Sequence, residues 1–311
     1  MDVPAKIKPR RTPVQEMMFI YGLRAGLPFP AIRVAAEALD VARRPLDCWP
    51  RRRVARSVSA GSPRGNHIPR AKGFAPIDSS IVPEVAALVS AGQALYAERA
   101  SSVPQDGAQP FYDILTSRDI LDRPAFLDAA LSPAMVEIAA GYFGTMPRLQ
   151  NIMLCVSPGR AASIQSELYH LDKPSVGFLQ AFLNVLDVGP ESGPLTFLPA
   201  DVTSRVRGAT SYERRSYSGD TRLSDEEVFQ HCRPEDAVAL VGPAGRGAFV
   251  DTSNCLHFGS RCRGGVRVVC IIQYAPAHKC RPSFSGRFDG HRFGGDPIRS
   301  LLLDGARPRS E

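Results

Sequence analysis

No stretch of the chain approaches the roughly 18–20 uninterrupted apolar residues that a membrane span requires. The opening residues, MDVPAKIKPRRTPVQ, also lack the apolar core of a secretory signal. Both absences point to a soluble, cytoplasmic protein. No C-x-x-C pair occurs among the seven cysteines, Cys48, Cys155, Cys232, Cys255, Cys262, Cys270 and Cys280. An odd count in a chain of 311 residues, too long to need disulfide stapling, reads as reduced thiols. The C-terminal spacings of seven, eight and ten residues fit no zinc-site pattern. Acidic residues are scarce at the start, where residues 1–75 hold fifteen Lys and Arg against five Asp and Glu. The formal charge of +7 is therefore concentrated there, and the remainder is slightly acidic. Such a leader suits nucleic acid, an anionic membrane or an acidic partner. It carries no recognised nucleic-acid-binding motif, which sets that class aside, and a solvated arm is the simpler reading.

What is present is an ordinary globular composition, 44% apolar, enough to bury a sizeable core. The expected organisation is a basic arm over 1–72, with one helix and a linker, followed by a main domain over 73–311. Pro30 precedes AIRVAAEALDVARR, which sets Ile32, Ala35, Ala36, Leu39 and Ala42 on one helical face. Residues 51–72, rich in Gly, Ser, Pro and charge, read as a linker or exposed loop.

Within the main domain, 73–147 reads as helical. Val85, Leu88, Val89, Gly92, Leu95 and Tyr96 recur at helical intervals, and SPAMVEIAAGYFG offers Ser132 as N-cap and Gly144 as stop. Over 148–280 the pattern becomes short period-two segments bounded by Gly, Pro, Asp or Ser, as expected of an antiparallel sandwich or barrel. Residues 281–311 form a tail. The polar, aromatic-studded insertion 203–233 interrupts the sheet and reads as a loop of the kind that covers a site.

The chemistry starts from SELYHLD. On a strand, residues two apart share a face, so His170 and Asp172 could converge on one ion. A second imidazole would complete the two-His, one-carboxylate set that leaves positions open on Fe(II). The downstream candidates are His231, His257, His278 and His291. His257 follows a strand and a tight DTSN turn, whereas His231 lies in the polar insertion and the other two lie beyond the last clear strand. Ten residues after His257, the strand VRVVCIIQY places Arg267, Val269, Ile271 and Gln273 on one face. A guanidinium on an otherwise apolar strand is costly to bury without an anion, and its planar fork suits a carboxylate. A structural ion pair would satisfy it equally well.

Taken together, SELYHLD, FLNVLDVGPESGPLTFLPA, FVDTSNCLHFGS and RVVCIIQYAP resemble the phytanoyl-CoA dioxygenase family of Fe(II)- and 2-oxoglutarate-dependent oxygenases, over about residues 145–280. The resemblance implies a mostly β fold with flanking helices, built on a double-stranded β-helix (a cupin-like jelly roll). It implies iron held by His170, Asp172 and His257, with Arg267 pairing the far carboxylate of 2-oxoglutarate and Asn184 as a further polar contact to that cosubstrate. It also implies O2 as oxidant, succinate and CO2 as products, and hydroxylation of a small-molecule substrate. The substrate could be anionic, given Arg214, Arg215 and Arg222, or tethered to a carrier; Phe178, Phe182 and residues 212–222 are the expected substrate contacts.

Two features depart from the family pattern. Glu167 stands where a Gln is common, and Ala200-Asp201-Val202 replaces a Gly-Ser-His. Asp172 argues against halogenation, which needs that coordination place for a halide. Desaturation, epimerisation and ring formation use the same site and stay open. So do a non-catalytic jelly-roll module and a zinc cupin.

Overall fold

The computed structural model describes residues 45–60, 67–104, 109–159, 167–172, 177–212, 221–278 and 296–303, with five further positions between 35 and 42. Those five, Ala35, Ala38, Leu39, Val41 and Ala42, are helical, as the pattern after Pro30 predicts.

The first complete helix, α1 (Pro45–Ala60), overturns the linker reading of its stretch. Cys48, Arg51 and Ala55 recur at intervals of three and four and are buried, so this helix packs onto the body. Arg51 is 1% exposed because its Nη1 donates to the carbonyls of Met146 at 3.3 Å and Leu301 at 3.0 Å. Composition reads an arginine as solvated, whereas here backbone carbonyls satisfy it. Residues 61–66 of the same stretch lie outside the described residues.

Helix α2 (Val85–Arg99) buries Val85, Leu88, Val89, Gly92 and Leu95, the face its spacing predicts. Two short helices, α3 (Ser117–Asp122) and α4 (Pro124–Ala130), lead into α5 (Pro133–Phe143). The Ser132 side chain caps α5 by accepting from the Met135 N–H, and Gly144 ends it at φ 65°. No single helix among the described residues is long and apolar enough to cross a membrane. The apolar pair α4 and α5 instead buries Phe126, Leu127, Met135 and Val136 in the core.

The larger sheet has the order β1-β7-β4-β9-β3-β2, with every pairing antiparallel. Its strands are β1 (Phe74–Ile77), β2 (Tyr112–Asp113), β3 (Pro147–Pro158), β4 (Leu179–Asn184), β7 (Gly247–Asp251) and β9 (Val266–Pro276). β1 falls in the stretch read as helical; its four residues, FAPI, are too few to show a period. The smaller sheet joins β5 (Thr196–Phe197), β6 (Val238–Ala239) and β8 (His257–Phe258) in the order β6-β5-β8. Bridges from His170 to His257 and from Tyr169 to Leu223 extend it by two short segments.

Alternation on the larger sheet divides the interior in two. One face, with Leu154, Leu183, Val268, Cys270, Ile272 and Tyr274, packs under the helices. The other, with Cys155, Phe182, Ala248, Val250, Val269 and Ile271, meets Leu195, Phe197 and Leu240 across the sandwich. Two facing antiparallel sheets with helices on one outer face make this a jelly roll. The insertion 203–233 carries two helices where it is described, α6 (Ala200–Thr210) and α7 (Asp225–Phe229), with the Leu223 bridge between them and residues 213–220 outside the described set. Ser224 and Glu227 form a reciprocal cap on α7, a signal the reading as a loop passed over.

Gly247 sits where β7, β4 and β1 press together. A Cβ there would collide with the Phe182 carbonyl oxygen and lie 2.7 Å from Leu183 Cδ2, both within the sheet. Gly247→Ala is expected to destabilise by about 1–3 kcal/mol, seen as a lower urea midpoint. Gly264→Ala, with open space around its Cβ position, is expected to stay within about 0.5 kcal/mol of the parent.

Candidate metal centre

His170 and His257 are brought together by backbone pairing. The His170 N–H donates to the His257 carbonyl at 2.9 Å, and the His257 N–H returns the bond at 3.0 Å. Residues directly opposite in an antiparallel pair project from one face, and the two rings lie with centroids 4.4 Å apart. Each Nδ1 stands at hydrogen-bond distance from a carbonyl two residues earlier, Leu168 at 2.8 Å and Cys255 at 3.0 Å. A carbonyl only accepts, so Nδ1 carries the proton and Nε2 presents its lone pair. Asp172 comes to meet them, with Oδ1 at 3.9 Å from His170 Nε2 and Oδ2 at 3.6 Å from His257 Nε2. The three ligand atoms all lie within 4.8 Å of one another, and no other such His, Cys, Asp and Glu group occurs among the described residues.

The tight turn after β7 fixes Asp172. Its N–H donates to the Thr252 carbonyl at 2.8 Å, and its own carbonyl accepts from Ser253 Oγ at 2.7 Å. The Gln180 amide then uses one hydrogen on Asp172 Oδ2 at 2.6 Å and the other on Thr252 Oγ1 at 2.7 Å. Behind the turn, Asp251 accepts from the Ser253 N–H, from Asn254 Nδ2 and from the Tyr142 hydroxyl of α5. Desolvation pushes the Asp172 carboxyl up, but the neighbouring His257 and His170 rings and the Gln180 amide together hold it well below the usual carboxylate range. Desolvation, reinforced by His257, pulls the His170 imidazolium down to about 3 against the attraction of Asp172. At neutral pH the His170 ring and the Asp172 carboxylate are thus in the forms that bind a metal. About a third of the Asp172 side chain stays exposed, which marks the open side of the site.

Arg267 lies on the inner face of β9, as its alternation predicts, and is 4% exposed. Its Nη1 donates to Ser260 Oγ at 3.4 Å, while its buried Nε has no hydrogen-bond partner. Ser260, held at φ 71°, also accepts from Ser157 Oγ at 2.9 Å. No acidic side chain among the described residues forms an ion pair with Arg267, and burial pulls its guanidinium down to about 10, still charged at neutral pH. A Cβ on Gly259, two residues past His257, would lie 3.4 Å from Arg267 Nη1, so the cation reaches the strand that carries the second imidazole.

Asn184, at the far end of β4, shares the inner face with Phe182 and Gln180. It is paired with Val269, so it stands one diagonal step from Arg267, and its amide leans toward the Gly242 carbonyl at 3.4 Å. The other histidines do not join the centre: His231 is exposed beyond α7, His278 is buried after β9, and His291 lies outside the described residues. Arg214 and Arg215 also lie outside them. Gln180 and Thr252 were missed by the sequence reading. The signal for Gln180 was present, since it is the one polar residue between Phe178 and Phe182 on that strand face.

No protein-family model matches the chain, and no curated protein matches it. Among solved structures it is similar to EctD from S. alaskensis with 2-oxoglutarate and 5-hydroxyectoine, at 17% identity and a TM-score of 0.45 over 78% of this chain and 82% of that one. It is also similar to the epimerase SnoN in complex with Fe3+, alpha ketoglutarate and nogalamycin RO, at 19% identity and a TM-score of 0.43 over 78% and 90%. HygX from Streptomyces hygroscopicus, with nickel and 2-oxoglutarate bound, follows at 14% identity and a TM-score of 0.42 over 71% and 90%. With scores below 0.5, the fold rests on the strand order given above and the chemistry on the side chains.

First-row metals bind an imidazole nitrogen at roughly 2.0–2.1 Å, so two adjacent ligands stand about 3 Å apart. The separations of 3.6 and 3.9 Å are close to that, and His170, His257 and Asp172 fit a metal with open positions. Gln180→Leu removes the amide's bond to Asp172 Oδ2 together with the Thr252 bond that orients the amide, and is expected to weaken Co(II) or Fe(II) binding by about 10–100-fold, measured by competition with a chelator. Unchanged affinity would show that the turn alone positions Asp172.

Proposed function

We propose that this chain is an Fe(II)- and 2-oxoglutarate-dependent dioxygenase related to the phytanoyl-CoA dioxygenase family. It would hydroxylate a small-molecule or carrier-bound metabolite in the cytoplasm, where its thiols stay reduced. The observation that carries this reading is the convergence of His170 Nε2, His257 Nε2 and the Asp172 carboxylate, with the buried, acid-free Arg267 guanidinium reaching the same strand. Arg267 and Ser260 supply donors for a carboxylate at the inner end of the site, and the unused Nε is the donor that an anion would satisfy.

Bound there, iron and 2-oxoglutarate supply oxygen activation, with release of succinate and CO2. The chain's own part is positional. The Leu168 and Cys255 carbonyls set which nitrogen of each ring faces the metal, and Gln180 and Thr252 aim the carboxylate. Phe182, Val269 and Ile271 wall the interior and exclude water. Asn184 stands on the same wall as Arg267 and is a second polar contact for the cosubstrate. Desaturation, epimerisation and ring formation would use the same side chains.

Anaerobic addition of Fe(II) and 2-oxoglutarate to purified protein is expected to give the weak visible charge-transfer band of the chelated cosubstrate, absent in His170→Ala and Asp172→Ala. No band at saturating iron would remove the oxygenase reading, and zinc uptake without 2-oxoglutarate binding would favour a zinc cupin. Truncating one partner of a buried charge pair costs about 2–5 kcal/mol, so Arg267→Ala is expected to weaken 2-oxoglutarate binding by at least about 30-fold with iron uptake retained.

A further inference from the structure

Helix α1 has one buried face and one exposed face, and the two differ in kind. Cys48, Arg51 and Ala55 turn inward and hold the helix on the body, with Val54 and Val58 half-buried beside them. Trp49, Arg52, Arg53 and Arg56 recur at intervals of three and four on the other side, and all four are exposed. Trp49 is the single tryptophan of the chain and is 69% exposed. Among the described residues, the one other large hydrophobic side chain left exposed is Val241, at 37%. α1 holds one acid, Asp47, against four arginines. None of Arg52, Arg53 and Arg56 forms an ion pair with an acid among the described residues.

Three uncompensated guanidiniums within roughly 10 Å of helix axis lie inside about one Debye length, so they act on a facing layer of anions as a unit. The indole among them narrows the choice of layer. It is an apolar ring with one polar N–H, and the headgroup region of a bilayer accommodates both at the depth where arginines meet lipid phosphates. A single-stranded nucleic acid is held by successive stacking rings, and this face offers one. A duplex presents phosphates to the arginines but no apolar layer to the indole. The residues around α1 in the sequence carry the same sign of charge, fifteen Lys and Arg against five Asp and Glu over 1–75. α1 also packs on α5 in the helical layer, across the larger sheet from His170, Asp172 and His257, so contact on its outer face leaves the metal centre open.

We infer that the outer face of α1 docks this protein on an anionic phospholipid surface, with Arg52, Arg53 and Arg56 on the headgroup anions and the Trp49 indole set among the headgroups. The contact is peripheral, because the inward side chains keep the helix on the body while its outer face meets the lipid. It does not depend on the chemistry of the metal centre.

The test mixes the full-length protein with vesicles of phosphatidylcholine alone or of equal parts phosphatidylcholine and phosphatidylserine. As the sole indole, Trp49 reports its own position. Its emission is expected to move to shorter wavelength on the anionic vesicles only, to be quenched by lipids brominated at the top of the acyl chains, and to return in high salt. An arginine near such a surface contributes about five-fold in partition, so the triple variant Arg52→Gln, Arg53→Gln, Arg56→Gln should bind roughly a hundred-fold more weakly by flotation, with an unchanged circular dichroism spectrum. The inference is overturned if the parent does not float with anionic vesicles, floats equally with neutral ones, or floats with no change in Trp49 emission. Partition of the triple variant equal to the parent's would overturn it too, by moving the contact elsewhere in the basic leader. An oligonucleotide, single-stranded or duplex, that strips the parent from the vesicles through the same three arginines would reassign the face to nucleic acid. Should the triple variant not fold, the parent's emission, quenching and salt dependence decide the question.

Discussion

Backbone pairing between His170 and His257 is the constraint on which the centre depends. The two residues lie far apart in the chain, and neither ring could hold its place on a free loop. Each is locked twice, by the reciprocal main-chain bonds and by the carbonyl that accepts from its Nδ1. The larger sheet and the helices behind it supply the rigid floor that lets so small a second sheet keep its register. Without the inner cluster around Phe182, Phe197 and Ile271, two-residue strands such as β5 and β8 would have too little buried area to persist.

The third ligand is placed by a different device. Asp172 follows the paired segment and is caught by the turn after β7, through the Thr252 carbonyl and the Ser253 hydroxyl, and by the Gln180 amide of β4. One short stretch after His170 is thus read by both sheets: the smaller fixes the imidazole and the larger fixes the carboxylate. The sandwich has to close for the donor set to exist, so metal affinity reports on the packing of the whole fold.

Much of this was legible in the residues. The apolar interval from Val85 to Leu95, the Ser132 and Gly144 pair, and the alternation from Val266 to Gln273 each reflect a local rule that the tertiary fold obeys. The distal imidazole could be chosen because a tight turn and a strand lead into it. What stayed hidden depended on partners distant in sequence. Arg51 reads as a surface charge until the carbonyls of Met146 and Leu301 close on it. Gln180 is one polar residue in an apolar strand until Asp172 arrives. Leu223 looks like part of a solvated insertion, and only its bridge to Tyr169 buries it.

Tyr142 gives the outer layer a stake in the chemistry. Its hydroxyl reaches from α5 to Asp251, at the root of the turn that grips Asp172. The helix acts as a brace behind the carboxylate, and its ring takes up the load that the short turn could not bear alone. Residues on the mouth of the barrel can therefore drift toward new ligands while this strut, on the far side of the sheet, keeps the donor atoms in line.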